Sequence, residues 1–157
     1  MNNQKKAQVW YLDFMVGVLI LASILIIYYQ YYGNITDQSE AEWEEMIIDS
    51  KSISSALISE GYPVNWTNET AQILGLTDGN YRINISKLLM FENTTYQQAR
   101  SVFKTRFNFY FFLQDEDHNI IHEKGINATD PQFLVHTTRF VIYNSSIYRM
   151  RLYLWKA

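Results

Sequence analysis

The chain has 157 residues, a formal net charge of −3 and no cysteine. This length allows one domain of ordinary size, or a smaller domain with an added segment. The small negative charge argues against a nucleic-acid binder, which needs a clustered cationic face to displace counterions from phosphates. The lack of cysteine excludes disulfides, thiolate metal sites and a cysteine nucleophile. A hydrophobic content of 48% excludes an intrinsically disordered chain.

Residues 9–32 form an almost wholly apolar segment after a polar, lysine-containing start, residues 1–8. As an α-helix the segment would extend about 36 Å, enough to cross a hydrocarbon core of ~30 Å. Lys5 and Lys6 precede it, whereas residues 37–60 carry seven acids and one base. The positive-inside rule therefore places the N-terminus in the cytoplasm and the rest outside. A buried core helix would show a polar stripe, and a secretory signal peptide has a shorter apolar region, so a membrane-spanning helix is favoured.

Asp13 lies inside this apolar segment. A carboxylate deep in a bilayer costs about 2.5–3.5 kcal/mol on insertion scales, so it marks a function or lies near an interface. Asp13 is about two helical turns from Lys6, which allows an interfacial position. The functional alternative is that Asp13 neutralises a cation supplied by a neighbouring subunit.

The stretch KKAQVWYLDFMVGVLILASILIIYY resembles the start of archaeal type IV pilin-like precursors, which carry a class III signal peptide. The resemblance implies that a prepilin-type peptidase removes the basic leader, residues 1–8, and leaves the helix attached. The cut then falls after Ala7, so that Gln8 becomes the first residue, or after Gln8, so that Val9 does. The resemblance also implies that the freed amine pairs with Asp13 of an adjacent subunit during assembly.

Residues 33–60 are predicted as an amphipathic helix that continues the first one after an interruption. Gly33-Asn34 breaks the apolar pattern, and Ser39 with Glu42 forms an S-x-x-E capping box that predicts a new helix start. Apolar residues then recur at three- and four-residue spacing, and Gly61 predicts the end of the helix. This pattern favours a helix packed under a domain, with a coiled-coil partner helix as the alternative.

Residues 61–157 are predicted to form an extracellular connector of short elements followed by a small antiparallel β-sheet. The connector elements are a helix over residues 67–74, a strand over residues 81–85 and a helix capped by Thr95 that runs to Arg106. Period-two alternation predicts strands over residues 107–114 and 147–155, and a strand over about residues 133–143 precedes the turn Asn144-Ser145-Ser146. A further strand begins at Ile120 after the turn DEDHN. We expect an α+β fold in which three to five strands pack against the second helix, comparable by resemblance to type IV pilins.

Seven asparagines begin the triplet N-x-S/T without proline: Asn34, Asn65, Asn68, Asn84, Asn93, Asn127 and Asn144. Chance predicts about 1.6 such triplets from this composition, and turn or cap preferences explain about two or three. All seven follow the apolar segment, on the side that the lysines place outside. The excess predicts an N-glycosylated external surface; whether Asn84, inside the predicted strand, is modified stays open.

The histidines offer one tempting cluster, His118 and His122 with Asp115, Asp117 and Glu123. In a turn between strands the four-residue histidine spacing gives no fixed geometry, and DEDHN lacks the glycine and terminal glutamate of a calcium loop. A solvated turn is therefore favoured over a metal site. No glycine-rich phosphate loop, G-x-S-x-G elbow or H-E-x-x-H motif occurs in the sequence. We expect no catalytic activity, no cofactor and no metal.

Together these patterns predict a structural protein. By the resemblance it is a major or minor pilin-like subunit of an archaeal extracellular filament, acting in surface adhesion. Its partners would be further copies of itself or other pilin-like subunits, the membrane, the peptidase and the filament assembly machinery, with no nucleic acid. The alternative is an uncleaved single-pass envelope protein whose glycosylated outer domain binds a partner. An anchored hydrolase is the weakest reading.

Overall fold

The computed structural model describes the backbone of residues 3–131 and 133–156, and the side chains of residues 11–31, 40–131 and 133–156. The chain divides into two compact units, Met1–Glu42 and Trp43–Ala157. Helix α1 (Asn3–Leu57) supplies all of the described helix of the first unit and the opening segment of the second.

The predicted interruption of the N-terminal helix is wrong. The backbone is helical through Gly33, Asn34 and Ser39, so Ser39 is an interior residue and does not cap a new helix. A single glycine costs a helix interior only about 1 kcal/mol relative to alanine, and this is too little to end a helix whose neighbouring turns stay hydrogen-bonded. The helix ends at Leu57, shortly before the predicted stop at Gly61.

The second unit is α+β, as the alternation of the sequence predicts. After α1 come α2 (Ile85–Asn93), α3 (Tyr96–Phe103), β1 (Asn108–Gln114), β2 (Ile120–Gly125), β3 (Phe133–Tyr143) and β4 (Ser146–Lys156). The strands form one antiparallel sheet in the order β2-β1-β4-β3. The four strands predicted for the sheet and the final β3–β4 hairpin are confirmed, and β3 has the predicted bounds.

The connector is less regular than predicted. Residues 67–74 form a turn at Thr67, where Thr70 and Ala71 donate to the Thr67 carbonyl, and the predicted helix is absent. Residues 81–85 make isolated bridges, among them Arg82 to Ile142, and the chain then enters α2, which the sequence did not predict. The turn is held by the core, because Trp66 is 1% exposed and its indole Nε1 donates to the Gly75 carbonyl at 3.0 Å.

The helix predicted to follow Thr95 is confirmed with a shorter span. Thr95 accepts a hydrogen bond from the Gln98 backbone and the Gln98 side chain accepts from the Thr95 backbone, which is a complete capping box. Helix α3 ends at Phe103 because Lys104 takes a left-handed conformation at φ 54°, before the predicted end at Arg106.

One face of the sheet forms the main core with the helices. The alternating residues of β1 and β4 that point to this face are completely buried: Phe109, Phe111, Leu113, Met150, Leu152 and Leu154. They pack with the apolar stripe of α1, which contributes Met46, Ile53 and Leu57. The Ser50 and Thr137 hydroxyls lie 2.6 Å apart and join α1 to β3. The prediction that the sheet packs against the amphipathic helical segment is confirmed.

The opposite face of the sheet carries a second, smaller cluster. It consists of Tyr110, Phe112 and Trp155, each nearly buried, with Ala128 packed against it. Since β2 and β3 are the two edge strands, the connection between them has to pass from one edge to the other. The contact of Ala128 with this cluster shows that the connection crosses the second face and covers its aromatic side chains.

Candidate functional site

The first unit contains the clearest functional feature, an apolar helical surface. Among the described residues one helical stretch, Tyr11–Tyr31, is long and apolar enough to cross a membrane, and none of it is buried within the protein. Its large apolar side chains are exposed around the whole helix circumference. A helix buried in a soluble core would have this surface covered by its own chain, so a core helix does not fit the observation.

Asp13 lies in the first turn of this stretch, between the exposed apolar residues Leu12 and Phe14. The opposite end carries Tyr28 and Tyr29, whose rings meet edge-to-face at 5.8 Å. A carboxylate near one end and tyrosines at the other match the polar boundaries of a bilayer better than its centre. The proposed cleavage residues Ala7, Gln8 and Val9 fall where the structure describes no side chains.

The second unit carries six of the seven sequons, and Asn34 falls outside the described side chains. Five of the six asparagines are exposed: Asn65, Asn68, Asn93, Asn127 and Asn144. Their positions are turns, loops and a helix end, where an attached sugar would extend into solvent. The surface positions that the predicted glycoprotein requires are therefore present in the folded domain.

Asn84 differs from the other sequon asparagines, because it caps α2. It is half-buried, its Oδ1 accepts from the Lys87 backbone at 3.2 Å, and its Nδ2 donates to Asp78 Oδ1 at 2.9 Å. Because residues 81–85 were predicted as a strand, the capping role of Asn84 was not predicted. The signal was available in the sequence, since asparagine is a preferred N-cap and the run ISKLLMF that follows it is apolar.

Two of the sequons are in contact through a side-chain hydrogen bond. Thr94, the middle residue of the Asn93 sequon, donates its hydroxyl to Asn68 Oδ1 at 2.9 Å. Lys124 Nζ donates to the carbonyls of Thr94 and Glu92 and lies 5.5 Å from the Phe91 ring centroid. Burial lowers the pKa of Lys124, and the nearby Glu92 carboxylate opposes that shift. These bonds fix the loop between α2 and α3, and sequence spacing gave no sign of them.

The histidine cluster of the sequence is divided between two hydrogen-bond networks. His122 Nδ1 lies 2.6 Å from Glu92 Oε1, and its Nε2 lies 3.2 Å from the Tyr143 hydroxyl. His118 lies in the turn before β2, where its Nε2 is 3.0 Å from Arg149. Within the described part of the chain no three His, Asp or Glu side chains are grouped so that they could hold a metal ion.

Two further ionisable side chains near these strands have displaced pKa values with structural causes. Hydrogen bonds from the Asn119 side chain and backbone lower the pKa of Asp115 and close the DEDHN turn. Burial, followed by the hydrogen bond that its hydroxyl donates to the Glu123 carboxylate, raises the pKa of Tyr110 to about 12. Asp115 thus closes the turn before β2, and Tyr110 joins β1 to β2 through Glu123.

Comparisons of the chain with family models, curated proteins and solved structures give no match. The function is therefore inferred from the chain's own features. These are an exposed apolar helix with one carboxylate and a small α+β domain with exposed sequons.

Proposed function

We propose that the protein is a pilin-like structural subunit of an archaeal extracellular filament, stored in the membrane before assembly and acting in surface adhesion. One observation carries the proposal: Tyr11–Tyr31 exposes apolar side chains in every direction and no part of it is buried by its own chain. Such a surface needs lipid or other helices around it. The helix of a filament subunit is surrounded by lipid while it is stored in the bilayer, and by other helices once it is in the filament core.

The exchange between these two environments has a small hydrophobic cost. Lipid tails and apolar side chains are similar in polarity, so a helix that leaves lipid for a helical bundle loses little transfer free energy. The Asp13 carboxylate gives the exchange a direction, because an unpaired carboxylate in a bilayer costs about 2.5–3.5 kcal/mol and a neighbouring cation offsets that cost. In the proposed assembly the cation is the amine that leader removal creates at Gln8 or Val9 of an adjacent subunit.

The second unit supplies the outward surface of the proposed filament. Its five exposed sequon asparagines support a glycosylated domain outside the cell. Lys5 and Lys6 support the same orientation, because the positive-inside rule favours a cytoplasmic N-terminus. The proposed partners are further copies of this chain or other pilin-like subunits, together with the peptidase and the assembly machinery in the membrane.

The N-terminal peptide of the native protein tests this proposal. Mass spectrometry of membrane and sheared-surface fractions should find a mature start at Gln8 or Val9, with the mature chain in the sheared fraction. An intact start at Met1, confined to membranes, would contradict it. That result would favour a single-pass envelope protein whose outer domain binds a partner.

A substitution at Asp13 tests the assembly step separately. Asp13→Ala should abolish filaments while the protein stays in the membrane at its usual level, because the apolar span is retained and loses only its charge. Asp13→Glu keeps a carboxylate and is the matched control, which should restore most filaments. Normal filament yield in Asp13→Ala, measured by electron microscopy of sheared material, would refute the role of Asp13.

A further inference from the structure

The sequons of the folded domain fall into two structural classes, and this division goes beyond the proposed glycosylation while resting on it. In N-glycan transfer the asparagine Nδ2 attacks the anomeric carbon of a sugar carried on a polyprenyl phosphate or pyrophosphate. The carbon–nitrogen bond forms, the carbon–oxygen bond to phosphate breaks, the lipid phosphate leaves with the electron pair, and a base of the membrane transferase takes the amide proton. The motif requires a hydroxyl two residues further on, so the transferase has to engage three consecutive residues together.

We propose that the folded domain offers glycan transfer two sequons, those of Asn127 and Asn144. The sequons of Asn65, Asn68 and Asn93 accept a glycan before the domain folds and are closed afterwards. The Asn84 sequon is likewise closed in the folded domain, because its carboxamide caps α2.

The Asn65 sequon is closed by its middle residue. Trp66 is buried in the core with its indole bonded to the Gly75 carbonyl, so Asn65 cannot enter an enzyme cleft together with Thr67 unless the core opens. The required hydroxyl, that of Thr67, also lies 3.1 Å from the Thr70 hydroxyl. An exposed asparagine is therefore not sufficient at this position.

The Asn68 and Asn93 sequons are both made inaccessible by a side-chain hydrogen bond that joins them. Asn68 Oδ1 accepts the Thr94 hydroxyl, and Thr70, which supplies the hydroxyl of the Asn68 sequon, accepts from the Thr67 backbone at 2.9 Å. In the Asn93 sequon the middle residue Thr94 is 4% exposed, and its hydroxyl shares its one hydrogen between Asn68 Oδ1 and the Met90 carbonyl, each at 2.9 Å.

The remaining hydroxyl of the Asn93 sequon belongs to Thr95 and is held by the capping box of α3. At Asn84 the nucleophilic atom itself is held by a hydrogen bond, because Nδ2 donates to Asp78 while Oδ1 caps the helix. Transfer of a sugar to Nδ2 would place a bulky group where this bond is made.

Asn127 and Asn144 have none of these hydrogen bonds. Ala128, the middle residue of the Asn127 sequon, packs against the second cluster but is only half-buried, unlike Trp66. Asn127 follows β2 in the loop that leads to β3, its sequon hydroxyl on Thr129 is exposed, and neither side chain makes a hydrogen bond to the described part of the chain. Asn144 and Ser145 form the tip of the β3–β4 hairpin at φ 46° and 68°. Asn144, Ser145 and Ser146 are all exposed, so this segment can enter an enzyme cleft without disturbing the core.

In vitro transfer to the full-length chain tests the division. The chain is made in a host without the transferase, purified in detergent, and incubated with an archaeal oligosaccharide transferase and a polyprenyl-linked sugar donor. Peptides of the same chain, each with one sequon, serve as unfolded acceptors, and glycopeptide mass spectrometry gives a rate for each site. We expect the ratio of native to peptide rate to be at least tenfold higher at Asn127 and Asn144 than at Asn65, Asn68, Asn84 and Asn93.

Comparable ratios at all six sites would overturn the division, and so would protection of Asn127 and Asn144 in the native chain to the same degree as the others. If the transferase modifies none of the peptides, the glycosylation part of the proposed function fails together with this inference. The filament proposal is then still decided by its own test, the N-terminal peptide in the sheared fraction.

A variant that opens one lock gives an independent test. Gln98→Ala removes the side chain that holds Thr95 and leaves the triplet Asn-Thr-Thr intact. We expect at least a threefold higher transfer rate at Asn93 of the native protein, with no change at Asn127. Gln97→Ala is the matched control, because Gln97 is an exposed glutamine of the same helix. Equal rates in the two variants would show that the Gln98 side chain does not protect Asn93, and would overturn the part of the proposal that assigns this protection to the capping box.

Discussion

Replacing Asn84 by Gln removes its sequon and, in this protein, a helix cap as well. The longer side chain does not place its oxygen where Asn84 Oδ1 accepts from the Lys87 backbone N–H, and loss of an N-cap costs about 0.5–2 kcal/mol. The exposed bond from Nδ2 to Asp78 adds a few tenths of a kcal/mol at most, about the value of an exposed polar pair. We expect the unfolding free energy of the second unit to fall by about 1–2 kcal/mol, a decrease in Tm of about 4–8 °C for a domain of this size.

The measurement uses the unglycosylated full chain in detergent, with urea unfolding followed by tryptophan fluorescence. Ser86→Ala destroys the same triplet but leaves the cap in place, because the Ser86 side chain is exposed and makes no bond to the cap. It should lie within about 0.5 kcal/mol of the parent. Asn84→Ser also removes the sequon and retains a good capping residue, so its loss should be small. Equal unfolding free energies for Asn84→Gln and Ser86→Ala would refute the structural role of Asn84.

Three further predictions concern packing and protonation. Phe111→Ala should lower the unfolding free energy by about 3–5 kcal/mol because the ring is completely buried, whereas Phe140→Ala, at a ring 65% exposed, should change it by about 0.5 kcal/mol or less in urea titrations. A Cβ at Gly75 would lie 2.1 Å from a backbone nitrogen, so Gly75→Ala should lower the Tm measured by circular dichroism by at least about 4 °C, whereas Gly17→Ala, with nothing within 4 Å of its Cβ, should not lower it. The pKa of Tyr110 rises from 10.0 to about 12 on folding, so its stabilising contribution is complete below pH 10 and is lost as the pH rises towards 12; Tyr110→Phe should flatten this part of the pH dependence of the unfolding free energy.

Each of these predictions has a result that would contradict it. Equal losses from the two phenylalanine substitutions would mean that the sheet faces are assigned wrongly. A Gly75→Ala protein as stable as the parent would show that the backbone contact at this glycine is looser than described. An unchanged slope between pH 10 and pH 12 in Tyr110→Phe would mean that the hydroxyl titrates alike in the folded and unfolded chain.

The sheet could be predicted because its pattern is local and regular. Alternation over residues 107–114 predicted β1 to within one residue, and the alternation of Met150, Leu152 and Leu154 with Arg149 and Arg151 identified the buried face of β4. An alternating pattern arises when one face of a strand is buried, and it can be recognised without knowing which residues cover that face. The apolar helix was predictable for the same reason, since its length and composition alone determine whether it can cross a bilayer.

The errors lie where distant contacts decide local structure. Helix α2 has nine residues, too few to be stable alone, and it depends on the Asn84 cap and on the packing of Leu88 and Phe91. The turn after Trp66 is set by the bond from the indole to Gly75, which no spacing rule contains. At Gly33-Asn34 an expected break was overruled because one unfavourable residue is outweighed by the hydrogen bonds of the turns around it.

The sequons were predicted as external sites, and only Asn84 was set apart from the others. The sequence gives the number of sequons and their position after the apolar helix. It does not show which of the sequon hydroxyls are free of hydrogen bonds in the folded domain. The contact between Asn68 and Thr94 joins residues 26 positions apart, so a reading confined to triplets could not detect it.

The position of β4 in the sheet determines when the domain can finish folding during synthesis. This strand is the last of the sheet in chain order, yet it lies between β1 and β3 and is the sole sheet partner of β3 among the named strands. A chain made from its N-terminus therefore cannot complete its sheet until β4 has been synthesised. Until then, the core that buries Trp66 and Thr94 is incomplete. In the proposed glycosylation, this delay gives a membrane transferase time to reach segments that are inaccessible in the folded domain.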